Sequence, residues 1–228
     1  MKGLVIFSGG SFRLGGQGNT SIGEPMSYKQ QIEAAQSHIR FLRYLDVDVR
    51  ICTYSTQYDT ELVSVYREYR PCVFFVKGGL LGTNTLFYKC LDDIERYDYL
   101  LHIRIDLFLK EKFMEIFDPS WNTIRFPTIC WKQGSITHGH PRVNDMMLFV
   151  PKKYFQYLPH VHIGHETWRI LVSEGHLKYN DLDTMINTYH DSDSAKDYNP
   201  LYRIVNRPEQ HHWHSEGYIF NKEDFLKT

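Results

Sequence analysis

The sequence predicts an α/β fold, a mostly parallel or mixed sheet flanked by helices in a single domain, and three observations carry that prediction. Short runs rich in Val, Ile, Leu and Phe alternate four times with segments whose apolar residues recur at helical spacing. Such alternation builds a sheet covered by helices, with ligand sites at the carboxyl ends of its strands. The length, 228 residues, suits one sizeable core and is short for two. Hydrophobic residues make up 42% and charged residues 23%, the balance of a chain that folds.

The first strand is "GLVIFSGG", a buried β-branched and aromatic run broken by a Gly pair. A glycine-rich loop follows, then a helix. In "SYKQQIEAAQSHIRFLRYLD", Ser27 and Gln30 stand as a capping box, and Tyr28, Ile32, Ala35, Ile39 and Leu42 form one face. "VDVRICTYS" alternates Val47, Val49 and Ile51 with polar neighbours, as a strand does. The pattern then gives a helix around residues 59–69, the strand "PCVFFVKGG", a helix near Asn84 and the strand "YDYLLHIRIDLFL". Beyond Asp118, "NTIRFPTIC" and "NDMMLFVP" read as further strands, and residues 152–180 as one or two helices. The polar tail from Asn180 reads as an ordered loop closing over a site, with a flexible tail as the alternative.

Composition excludes some functions. A formal net charge of -1 offers no basic field to hold a polyanion, so nucleic acid is not an expected partner. Cys52, Cys72, Cys90 and Cys130 form no CxxC pair and read as buried thiols in a reducing compartment. No apolar run reaches 18 residues, and the one near Met1 is too short for a signal core. A soluble, cytoplasmic protein is the expectation.

Two features invite chemistry. In "SGGSFRLGGQGNTSIG", Ser8, Gly9, Gly10 and Arg13 follow a strand end, where glycines let backbone amides approach phosphates. No GxxxxGK[ST] occurs, and no G-x-G-x-x-G runs straight into a helix. The pattern by itself is equally that of a long connection. In "YDYLLHIRID", an extended chain puts Leu100, His102, Arg104 and Asp106 on one face, with the two charges at the strand's carboxyl end. A carboxylate there can bind a divalent cation that holds a diphosphate, and the guanidinium can pair with it or with phosphate. A structural ion pair closing the strand is the plainer alternative.

Taken in order, "VIFSGGSFR", "YDYLLHIRID" and "PRVNDMMLFVPKKYF" resemble the landmarks of GT-A-type nucleotide-sugar glycosyltransferases, over the span from the first strand to Tyr154. The similarity is to polysaccharide-type and large-DNA-virus enzymes with RxD in place of DxD. It implies a GT-A-like (Rossmann-like) single domain, with about residues 1–110 binding a UDP- or GDP-sugar and about 111–228 forming the acceptor half and closing tail. It further implies Mn2+ or Mg2+ on Asp106, with Arg104 in place of the first carboxylate. Ser8, Gly9, Gly10, Arg13, Thr53 and Tyr54 would meet the nucleotide, with Tyr54 stacking on the base. Asp145 would be the general base of an inverting displacement onto a saccharide hydroxyl; a turn carboxylate bonding nearby amides is its alternative reading. A tail histidine, His212 or His214 in "EQHHWHSEG", would complete the metal site.

Two rivals stay open. A carbohydrate- or nucleotide-binding module without turnover follows if Arg104 has broken the metal motif. A metallohydrolase would use the histidines of "THGHPR" and "HVHIGHE", His138, His140, His160, His162 and His165, with Glu166, although these fall in loop-like sequence rather than on one helix face.

Overall fold

The structure, a computed structural model, describes residues 1–14, 21–77, 83–127, 129–130, 142–143, 146–160, 165–186 and 200–205. In chain order its elements begin with β1 (Gly3–Gly9), β2 (Arg13–Leu14), β3 (Ser21–Ile22), α1 (Tyr28–Leu42), β4 (Val47–Tyr54), α2 (Asp59–Val65), β5 (Cys72–Val76) and α3 (Thr83–Tyr88). They continue with β6 (Tyr99–Arg104), β7 (Leu107–Leu109), α4 (Glu111–Ile116), β8 (Ile124–Phe126), β9 (Ile129–Cys130), β10 (Arg142–Val143), β11 (Met147–Pro151), α5 (His165–Ser173), β12 (Leu182–Thr184) and β13 (Tyr202–Ile204).

Seven strands form one mixed sheet in the order β12-β8-β11-β6-β1-β4-β5. β1 lies inside it, parallel to β4 on one side and β6 on the other, which is why its seven residues are all buried and its sequence is continuously apolar. β5 extends the parallel set from β4, and β12 runs parallel to β8. β11 is antiparallel to both β6 and β8. Six strands therefore point one way and β11 the other, so the carboxyl ends of β1, β4 and β6 and the start of β11 meet at one edge.

Strand alternation sorts side chains onto two covered faces. Val5, Phe7, Val49, Ile51, Leu101 and Ile103 pack with α1, α2 and α4 in one core. Leu4, Ile6, Cys52, Leu100 and Leu148 pack with α3 and Trp168 in the other. Each fully buried Leu, Ile or Phe contributes about 1.5–3 kcal/mol, so both layers are needed to hold the sheet.

Four expectations change. The strand predicted to run through "YDYLLHIRIDLFL" breaks at Ile105–Asp106: Ile105 N–H still reaches the Ser8 carbonyl at 2.9 Å, but Val205 N–H bonds the Asp106 carbonyl, and the chain leaves the sheet as β7, paired with β13. Ser27 makes no side-chain cap, because Pro25 starts a 3-10 turn ahead of α1 and the Ser27 hydroxyl donates to the Glu24 carbonyl at 2.7 Å. Cys52 and Cys90 are buried as expected, whereas Cys72 is exposed on the edge strand β5. Part of the tail is strand rather than loop, since β12 pairs with β8 and β13 with β7. Among the described residues no helix is long and apolar enough to cross a membrane.

Candidate functional site

The loop after β1 is built rather than slack. Gly9 has φ +118°, a conformation that L side chains rarely adopt, and an added Cβ there would meet nothing within 4 Å; the glycine is required by the backbone, not by crowding. Phe12, fully buried, is held at φ +50°, a left-handed conformation that costs a non-glycine residue about 1–2 kcal/mol. Its ring packs 4.9 Å from Tyr58 and 5.8 Å from Tyr28, and its carbonyl accepts Gly23 N–H at 2.9 Å and Glu24 N–H at 3.1 Å. These contacts offset the strain.

Thr53 and Gln31 fasten the same loop to the sheet. The Thr53 hydroxyl accepts Ser11 N–H at 3.0 Å and donates to the Ser11 hydroxyl at 2.9 Å. The Gln31 amide oxygen accepts Phe12 N–H at 3.1 Å, and its NH2 donates to the Ile105 carbonyl at 2.8 Å. Both side chains are fully buried. Gln31 thereby bridges the glycine loop and the turn after β6.

That turn carries the two charges. The Arg104 Nε donates to Asp106 Oδ1 at 2.9 Å, and Nη2 donates to Oδ2. Nη1 contacts the Met146 sulfur at 2.9 Å. The Asp106 side chain is 3% exposed and that of Arg104 12%, so this is a forked, nearly buried pair at the rim. Arg13, half-buried, has its guanidinium held below its ordinary value by burial first and then by the Arg104 charge, against the opposing pull of Asp106 and Tyr54. Tyr54, half-buried at the end of β4, has its phenol pushed up by burial, with Arg13 opposing. Arg13, Tyr54, Arg104 and Asp106 thus form one electrostatic neighbourhood.

Ser8 and His102 lie just below, on the same face as Arg104. The Ser8 hydroxyl and His102 Nε2 are 2.8 Å apart, and both residues are fully buried. Burial, then the Arg104 charge, brings the imidazole down to about 3. Nδ1 has no hydrogen-bond partner among the described residues, and the ring meets Phe87 edge-on at 5.3 Å. With no exposed surface on either partner, the pair packs the floor of the site and does not present a nucleophile. Sequence reasoning placed His102 on the Arg104 face but gave it no part, because only the Ser8↔Arg104 register brings the two strands' residues together.

Of the candidate residues, Ser8, Gly9, Gly10, Arg13, Thr53, Tyr54, Arg104 and Asp106 lie at the carboxyl edge of β1, β4 and β6. Asp145, His212 and His214 lie outside the described residues, as do His138 and His140. A divalent cation does not fit the described donor set. Both oxygens of Asp106 are engaged by Arg104, Arg13 adds a second positive charge, and among the described residues no group of three His, Cys, Asp or Glu side chains can surround an ion. A separate open cleft of about 920 Å³, lined by Arg40, Arg43, Phe108, Lys110 and Arg203 among others, lies at the carboxyl end of α1.

No family model and no curated protein matches the sequence. Solved structures resemble it remotely. One is the glycosyltransferase GlyE of Streptococcus pneumoniae, 12% identical with a TM-score of 0.45, matched over 98% of this chain and 59% of that one. Another is the inositol-1-phosphate CTP transferase of T. maritima, 13% identical with a TM-score of 0.47, over 76% and 82% of the two chains. A third is a Drosophila β1,4-galactosyltransferase 7 mutant in complex with manganese, UDP-Gal and xylobiose, 10% identical with a TM-score of 0.43, over 100% and 79%. The chain spans 39% of the apo form of GlyE and 64% of LgtC.

Proposed function

We propose that this protein is a glycosyltransferase that moves a sugar from a nucleoside diphosphate donor to a saccharide hydroxyl in glycan or polysaccharide synthesis. The observation that carries this reading is the convergence, at one sheet edge, of the chain turned by Gly9 after β1, the Tyr54 ring and two guanidiniums around Asp106. An aromatic ring beside clustered cations suits a base followed by phosphates. The three ordered landmarks of the sequence fall on this edge or lead into it.

The mechanism is a direct displacement. The acceptor oxygen attacks the anomeric carbon, the bond from that carbon to the diphosphate breaks, and the acceptor proton passes to a carboxylate. Asp145 is assigned that base: it is the chain neighbour of Met146, whose carbonyl accepts Arg104 N–H at 3.0 Å and whose sulfur meets the Arg104 guanidinium. Charge left on the departing diphosphate is met by fixed positive groups, the largest source of rate enhancement in such sites. Since the described residues do not fit Mn2+ or Mg2+, no step is routed through a metal.

The experiment is to incubate the protein with UDP- and GDP-sugars, with and without oligosaccharide acceptors, and to measure nucleoside diphosphate release. Acceptor-dependent release is expected, lost in Asp145→Asn without loss of donor binding. Binding of donor with no release under any acceptor would support a second reading, a nucleotide-sugar-binding module. The observation favouring that reading is the engagement of Asp106 by Arg104. Binding of neither donor would overturn both.

A further inference from the structure

The cleft at the carboxyl end of α1 gathers cations from separate elements. Arg40 and Arg43 come from the end of α1, Lys110 from the residue after β7, and Arg203 from β13. The carbonyls at a helix end favour nearby cations, which accounts for Arg40 and Arg43. That preference does not account for Lys110 or Arg203, which reach the same cleft on other elements.

Phe108 shows how two of them are held. In β7 it stands half-buried between the buried Leu107 and Leu109, so it faces away from the core. Arg203 is its register partner in β13 and sits in the same way between the buried Tyr202 and Ile204. The Arg203 guanidinium lies 5.1 Å from the centroid of the Phe108 ring, and that of Arg40 lies 5.6 Å from it. One aromatic ring thus steadies two like charges by cation–π attraction. A carboxylate at position 108 would also have held them, but it would have cancelled one of the charges.

The surface continues across the helix. Arg40 and Arg43, both exposed, also line a second hollow of about 500 Å³ beside the end of α2, together with Ser64 and Arg67. Glu111 and Glu68 are the acidic members of the two linings. Tyr44, 83% exposed, stands next to Arg43 on the rim. Two hollows that share one pair of guanidiniums suit an extended anionic chain lying over both. A bilayer calls for several projecting apolar side chains, and among the described residues of the cleft only Tyr44 is a large, exposed one. A nucleic acid responds to the field of the whole molecule, whose formal net charge is -1. A saccharide chain bearing carboxylates takes charge-assisted bonds from guanidiniums and can lay an apolar sugar face on an exposed ring such as Tyr44.

We propose that this cleft is a secondary binding site for an acidic saccharide chain, in which Arg40, Arg43 and Arg203 hold carboxylates along the chain and Phe108 is a positioning residue for two of the three. The choice of a saccharide rests on the glycosyltransferase reading and narrows its acceptor to acidic glycans.

Fluorescence anisotropy of a labelled oligogalacturonate against the full chain tests it, with a labelled maltooligosaccharide as the uncharged counterpart. Oligogalacturonate is expected to bind at least about tenfold more tightly than the maltooligosaccharide, with an affinity that falls as salt is added. Arg40→Ala, Arg43→Ala and Arg203→Ala each weaken it by about 2- to 5-fold, the range of exposed ion pairs, and the triple variant by about 10- to 100-fold. Phe108→Leu weakens it as well although no charge is lost. Lys153→Ala, which removes an exposed cation elsewhere on the surface, leaves the Kd unchanged. Circular dichroism confirms that each variant is folded. A folded triple variant that keeps the parent Kd, equal affinity for the two saccharides, or no binding of oligogalacturonate would overturn the proposal. Vesicles of phosphatidylcholine with phosphatidylserine and a single-stranded oligodeoxynucleotide are run beside the saccharides. Tighter binding of either one, lost in the triple variant, would overturn it in favour of a membrane or a nucleic acid. Release of nucleoside diphosphate is measured separately with uncharged acceptors. If release persists while oligogalacturonate fails to bind, the glycosyltransferase reading stands without this site. Binding of oligogalacturonate by a protein that binds neither UDP- nor GDP-sugars would support the site and overturn that reading.

Discussion

Asp106 shows how one residue admits two readings until its neighbours are known. Spacing puts it two residues from Arg104 on a shared face, which allows a metal ligand but fits an ion pair more plainly. The forked geometry and the burial of both partners show the ion pair, and neither property is visible in a sequence. The pairing also has a cost that can be measured. Removing one partner of a buried pair leaves the other charge stranded, which costs about 3–5 kcal/mol. Arg104→Ala should therefore lower the urea unfolding free energy by that order, while Arg104→Met combined with Asp106→Leu should recover most of it. Equal losses in the single and double variants would show that the pair is not what holds the turn.

At the scale of the element, α1 was legible as a helix but its inner face was not. The apolar positions Tyr28, Ile32, Ala35, Ile39 and Leu42 do pack on the core. Three polar residues between them are buried as well, and each reaches the backbone of the segment after β6. Gln31 donates to the Ile105 carbonyl at 2.8 Å, His38 Nε2 meets the Leu107 carbonyl at 2.6 Å, and the Ser37 hydroxyl accepts Leu109 N–H at 2.8 Å. β7 is paired with β13 along one edge, and α1 side chains serve its Leu107 carbonyl and Leu109 amide on the other in place of another strand. A hydrophobic period cannot register polar residues whose partners lie 69 to 74 positions away. Gln31→Leu leaves both a buried amide and a buried carbonyl unsatisfied, at about 1–3 kcal/mol each. A drop in unfolding free energy of about 2–6 kcal/mol is expected in chemical denaturation, and a drop below 1 kcal/mol would exclude the bridge.

For the whole molecule, the strand and helix alternation gave the α/β class and most strand positions, because those follow from local patterning. The reversal of β11 did not, since direction in a sheet depends on the partner and not on the strand's own residues. The same limit hid the pairing of Ser8 with His102 across two strands. These long-range contacts set the acid sensitivity of the fold. His38, stacked 4.3 Å from Phe7 on one face, and His102 on the other are each brought to about 3, from an ordinary 6.5, by burial. Between those values the unfolded chain binds protons that the folded one refuses. These two groups therefore leave stability unchanged above about pH 6.5 and remove about 1.4 kcal/mol per pH unit per histidine as the pH falls below it. Unfolding free energies at pH 7, 6, 5 and 4.5 should show that slope, and His102→Leu should reduce it by about one proton's worth. An unchanged slope in that variant would mean His102 is protonated in the folded state.

Gln31 bridges the Phe12 amide and the Ile105 carbonyl, and this has a consequence for motion. The Ile105 amide is itself bonded to the Ser8 carbonyl, so the loop after β1 and the turn after β6 are closed into one hydrogen-bonded ring through a single side chain. Neither can open to solvent without breaking the other's bonds. Exchange of the Phe12 and Ile105 amide hydrogens is then governed by one opening free energy. The proposed donor would meet these two segments as a preset mouth rather than as jaws that must close.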